Sequence, residues 1–159
     1  MYALAAALAF ASIAAVYATL HDPSAIPALQ PARTAQALAE NLAIYRQATL
    51  DYARVHPGTR GAVPDTRLPF PTWYPGANPL WRNYVMDGTV VAYASAAPSV
   101  NITGEITTLA DGSLFAGVAY RNAVVRPGNA NPNAPVSGVP LPAGLKIADG
   151  MPVWMGQAY

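Results

Sequence analysis

The groups in this chain that could move a proton are two histidines, His21 and His56, and eight carboxylates; there is no cysteine to act as nucleophile, thiolate ligand or disulfide partner. General acid–base work needs such groups within hydrogen-bond reach of one another, usually as a histidine or a carboxylate pair. Here they are dispersed. His21 adjoins an uncharged N-terminal run, and His56 ends a helical pattern, where the helix dipole favours a cation and a capping role. The acids Asp22, Glu40, Asp51, Asp65, Asp87, Glu105, Asp111 and Asp149 stand singly, and Asp87, Asp111 and Asp149 each precede a glycine in a turn signal. Ser113 lies in Asp-Gly-Ser-Leu-Phe rather than in the Gly-x-Ser-x-Gly elbow of a hydrolase. No glycine-rich phosphate loop or paired metal-ligand spacing occurs. The residues predict no catalytic group, no cofactor and no metal, and they point away from an enzyme.

Recognition has better candidates. Phe70, Trp73, Tyr74 and Trp81 sit among prolines, and rigid aromatics of this kind are enriched at interface hot spots. Burial against a core is the other common fate of large aromatics, so the same cluster could cap one end of the folded domain. Pro-Phe-Pro at 69–71 could also present a polyproline-type surface. Net charge is +1, and the nine basic residues are scattered, with no basic stripe that would suit nucleic acid.

The elements that must position these residues follow from hydropathy and punctuation. Residues 1–20 carry no charged side chain and are long enough to span a hydrocarbon core, which takes about 20 apolar residues. A retained transmembrane anchor is the first reading. A cleaved signal peptide is the alternative: it lacks the usual basic start, but Val16-Tyr17-Ala18 would suit a cleavage site. The alanine-rich anchor also offers a small face on which membrane helices can pack. Residues 21–31 contain Pro23, Pro27 and Pro31 and read as an extended spacer. The segment beyond the anchor carries an acid and no strong base before Arg33, which favours an exported domain.

A domain then occupies 32–159. Thr34 is a plausible N-cap and Pro57-Gly58 a stop signal for a helix over 34–56. Leu38, Leu42, Tyr45, Thr49 and Tyr52 share one of its faces, and Glu40, Arg46, Gln47, Asp51 and Arg54 the other. Residues 57–79 are too proline-rich for a regular element. From 81 to 157 the chain reads as an antiparallel sheet built on three Asp-Gly hairpins: 81–86 with 89–93, 105–109 with 113–120, and 145–148 with 152–155. Residues 126–143 form a Pro/Asn/Gly loop. The predicted class is α+β, one long amphipathic helix across one antiparallel sheet.

Several segments together carry a family resemblance: Ala39-Glu40-Asn41-Leu42 running into Tyr45-Arg46-Gln47-Ala48, then Tyr52-Ala53-Arg54, His56-Pro57-Gly58, Gly61 with Val63-Pro64, and Trp81-Arg82-Asn83. They resemble the small PilM proteins of type IVb (thin) pilus operons, a family distinct from the cytoplasmic actin-like protein of the same name. The layout of apolar helix, amphipathic helix and sheet is similar to that of pilins. The resemblance implies a membrane-associated accessory protein of pilus biogenesis with no enzymatic role. A prepilin's basic leader, its glycine before the apolar helix and its glutamate within that helix are absent here, so peptidase processing and routine entry into the fibre are not expected.

The sequence thus predicts a non-enzymatic, single-pass component of the bacterial inner membrane with its domain in the periplasm. It would contact other pilus or secretion assembly proteins, namely pilins or the inner-membrane platform, through the anchor and the polar face of helix 34–56, and could form a homo-oligomer. The alternative is a secreted or periplasmic, adhesin-like binding module whose leader has been removed.

Overall fold

Leu38, Leu42, Tyr45, Thr49 and Tyr52, spaced by four and three residues, lie on the buried side of a single long helix, α1 (Ala25–Val55), in a computed structural model of the chain. The structure describes residues 25–130, 132–133 and 135–159; the predicted anchor and residues 21–24 of the predicted spacer lie outside them. No helix among the described residues is long and apolar enough to cross a membrane. Two compact units are distinguished, Met1–Thr34 and Ala35–Tyr159.

In the first unit the spacer prediction is corrected: residues 25–31 are helical. Pro31 lies inside the helix, where it removes one hydrogen bond but leaves the helix continuous. Thr34 is therefore no N-cap. Its hydroxyl donates 2.9 Å back to the Gln30 carbonyl, the usual fate of a threonine inside a helix.

In the second unit α1 buries Ala35, Ala39, Leu42, Tyr45, Ala48, Thr49 and Ala53. The alanines let the helix approach the sheet closely, while Leu42, Tyr45 and Leu50 are its largest buried apolar side chains, about 1.5–3 kcal/mol for a fully buried leucine. The helix stops where Pro57 cannot continue it and Gly58 takes φ 87°.

The strands are β1 (Trp81–Met86), β2 (Thr89–Ala94), β3 (Ala116–Tyr120), β4 (Ala123–Val125), β5 (Val139–Pro140) and β6 (Pro152–Gln157). They form one sheet in the order β1-β2-β6-β3-β4-β5, with every pair antiparallel. The first Asp-Gly hairpin is as predicted: Met86 pairs with Thr89 around Asp87 (φ 49°) and Gly88 (φ 78°).

The other two are corrections. Residues 103–109 are a second helix, α2 (Thr103–Leu109), not a strand. Ile102 and Ile106, four apart, are both fully buried, and the Asn101 side chain accepts the Thr103 N–H at 2.9 Å at the helix start. Asp111 (φ 50°) and Gly112 (φ 67°) then close the helix, Gly112 N–H bonding the Thr107 carbonyl at 2.9 Å. Residues 145–148 are not a strand either. β6 is flanked by β2 and β3, and the Asp149-Gly150 turn docks on β3 through bonds of 2.8 Å from Gly150 N–H to the Ala119 carbonyl and from Ala119 N–H to the Met151 carbonyl. The true second hairpin joins β3 to β4 through Arg121 (φ 46°) and Asn122 (φ 63°).

Two cores result. On one face α1 and α2 meet Trp81, Val85, Val90, Ala92 and Trp154. On the other, residues 139–147 fold back so that Leu141 and Leu145 cover Val91, Val124, Val153 and Met155. The loop predicted over 126–143 thus contains β5 and ends as a cover for the sheet.

Candidate functional site

The proline-rich segment 57–80 has no regular ladder to hold it, so side chains from α1 and β1 supply the bonds. Asn83 on β1 is 3% exposed and acts as a substitute peptide. Its Oδ1 accepts the Val63 N–H at 2.7 Å, and its Nδ2 donates to the Val63 carbonyl at 2.8 Å and to the Tyr45 hydroxyl at 2.8 Å. Tyr45 in turn donates 2.6 Å to Asp65 Oδ1. Beside this, Gly61 bridges to Val85 by two backbone bonds, 2.8 and 2.9 Å, covering part of the β1 edge.

Asn41 of α1 fixes the far end of the segment. Its Oδ1 accepts from Tyr74 Oη at 2.8 Å and from Trp81 Nε1 at 2.7 Å. The predicted aromatic cluster is therefore split. Trp81 is fully buried and Tyr74 is 9% exposed; Phe70, half-buried, stacks on Tyr74 with ring centroids 5.0 Å apart. Trp73 meets Tyr74 edge-on at 6.3 Å and stays 71% exposed. The network grips both sides of Trp73 and presents it to solvent on a loop with little freedom left to lose.

Two tyrosine hydroxyls of the network hold their protons more tightly than usual. Burial, reinforced by the bond to Asp65, raises the Tyr45 hydroxyl well above its ordinary value, and burial raises Tyr74 in the same direction. Three other acids have partners: Asp51 with Arg54 at 2.8 Å, Asp87 with Arg60 at 2.7 Å, and Asp149 Oδ1 with the Arg121 N–H at 2.9 Å. His56 caps α1, its Nδ1 lying 3.0 Å from the Tyr52 carbonyl and its ring stacked on Tyr52 at 4.1 Å. Among the described residues no group of three or more His, Asp or Glu side chains could hold a metal ion.

One residue expected on the solvent face of α1 behaves otherwise. Arg46 is drawn against the sheet, with its guanidinium carbon 5.0 Å from the centre of the Trp154 ring and its Nε donating 2.8 Å to the Met155 carbonyl. Sequence spacing could not find this, because the space it occupies exists only where Gly156 lacks a Cβ.

Three of the segments with family resemblance, at 39–48, 61–64 and 81–83, supply Asn41, Tyr45, Val63, Trp81 and Asn83 of this network, and the first also carries Arg46. The PilM family model matches residues 8–155. No curated protein and no solved structure matches the chain.

Proposed function

As this chain belongs to the PilM family, we propose that it is a non-enzymatic component of type IVb pilus biogenesis, held at the bacterial inner membrane by residues 1–20 with its α+β domain in the periplasm. It acts through protein contacts with pilins or with the inner-membrane platform. The family match carries the reading toward the pilus; the presentation of Trp73 carries the reading toward contact. An indole held 71% exposed on a loop pinned by Asn41 and Asn83 offers large apolar area at low ordering cost. The uncharged run 1–20 supports anchoring.

The test is a photo-cross-linking amino acid placed at position 73 in cells making the pilus. An adduct containing a pilin or a platform protein is expected. Adducts confined to unrelated envelope proteins, in cells that still assemble pili, would contradict the proposal.

A further inference from the structure

Arg46 is a cation without an acid. Among the described residues no carboxylate lies within ion-pair distance of it, whereas Arg54, two turns on, is bridged to Asp51. Its stem and Nε are fixed: the Nε is spent on the Met155 carbonyl, the guanidinium lies over Trp154, and Gly156 leaves the space beneath it empty of side chain. A Cβ added at Gly156 would run into the guanidinium itself. The two terminal nitrogens have no partner among the described residues, and no buried side-chain nitrogen there is left unsatisfied, so both reach solvent.

Such a placement is costly for a residue with no role but packing. Burial disfavours the charged guanidinium, and the nearby Arg54 disfavours it further. Arg54 lies along the same seam, its Nε directed at the Ala158 carbonyl at 3.3 Å. Among the charged side chains of α1 along this seam, Arg46 and Arg54 are positive and Asp51 negative, an excess of one positive charge. One planar monoanion neutralises it, whereas a dianionic phosphate would leave an uncompensated charge beside an indole.

We infer that the seam between α1 and the end of β6 is a docking point for a carboxylate side chain of a partner protein, taken bidentately by the terminal nitrogens of Arg46 over Trp154. The inference rests on the reading that the chain works through protein contacts, but it places a second contact at the seam of α1 with β6 rather than on the Trp73 loop and gives it a charge. A fork held rigid from behind loses little freedom on pairing, and the neighbouring indole keeps water from competing on one side.

The test uses the full-length chain in a zwitterionic detergent, titrated with poly-L-glutamate at fixed ionic strength and followed by the Arg46 Nε–Hε resonance. Saturable binding that shifts this resonance is expected. Arg46→Gln should weaken it about tenfold or more, and Arg46→Lys, a point charge without the fork, should restore only part. Arg33→Gln, on the exposed start of α1, controls for general charge. Equal weakening by Arg33→Gln and Arg46→Gln, no movement of the Arg46 resonance, or tighter capture of polyphosphate than of poly-L-glutamate by Arg46 would overturn the inference. If Arg46→Gln fails to fold, Arg46→Met, which keeps the stem over Trp154, takes its place with the same expectation. Because the probe is a simple polymer, failure here leaves the pilus reading to its own cross-linking test.

Discussion

Replacing Asn83 by alanine should unfasten the proline-rich segment from β1. The substitution removes three hydrogen bonds, two to Val63 and one to Tyr45, and Val63 is itself buried. A hydrogen bond contributes only about 0.5–1.5 kcal/mol net, but a buried backbone donor or acceptor left unpaired costs about 1–3 kcal/mol. Two such groups, relieved in part by water entering the new space, put the loss at about 3–5 kcal/mol. With a urea slope of roughly 1.5–2 kcal/mol per molar for a domain of this size, the midpoint should fall by about 2 M. Asn83→Asp is the sharper control. A carboxylate still accepts the Val63 N–H but cannot donate to the Val63 carbonyl, and it adds a charge near Asp65, so it should rescue little. Equilibrium urea unfolding followed by circular dichroism reads both variants. A loss below about 1 kcal/mol for Asn83→Ala would mean that Asn83 does not hold the segment, since the unpaired Val63 groups alone should exceed it.

Trp81→Ala should cost about 3–5 kcal/mol in the same assay, because the residue is fully buried, while Trp73→Ala should change stability by about 0.5 kcal/mol or less and abolish cross-linking from neighbouring loop positions. The Tyr45 hydroxyl, protected by burial and then by Asp65, keeps its proton above its ordinary 10.0 in the folded state. The unfolded chain therefore ionises first as pH rises, and stability present below about pH 10 is lost above it by up to about 1.4 kcal/mol per pH unit for one group. Tyr45→Phe should flatten the alkaline limb of a stability–pH curve, leaving the part due to Tyr74, which shifts the same way. Gly117→Ala would drive a Cβ into the Val125 carbonyl and should cost about 1–3 kcal/mol, whereas Gly104→Ala meets open space in α2 and should gain about 0.5 kcal/mol, both measured by thermal unfolding.

Periodicity and turn chemistry made the buried face of α1 and the first hairpin legible, because both are set by residues within a few positions of one another. The limits lie where a local signal has more than one use. Asp-Gly specifies backbone of the left-handed kind, which serves a hairpin at 87–88 and equally the end of a helix at 111–112. In α2 the β-prone Ile106-Thr107-Thr108 run was overridden by burial of Ile102 and Ile106 on one face, and the hydroxyls of Thr107 and Thr108 bond back to the Thr103 and Gly104 carbonyls at 2.8 and 3.0 Å. The β3–β4 turn gave little signal because its first position is an arginine; only Asn122 favours φ > 0.

The candidate site was legible in part. Composition marked the aromatics, but not which one would stay exposed, because Trp81 and Tyr74 are drawn inward by a shared acceptor, Asn41, more than thirty residues away. Arg46 could not be recognised at all, since periodicity assigns it to the polar face and the space that receives it is made by a glycine 110 positions later. Residues that touch only through the tertiary fold leave no local pattern in the chain.

A part in pilus assembly is tested by the count of pili per cell. In a host that assembles the type IVb pilus, deletion of this chain should remove surface pili seen by electron microscopy, and the full-length chain supplied in trans should restore them. Pili at the original number in the deleted strain would contradict it.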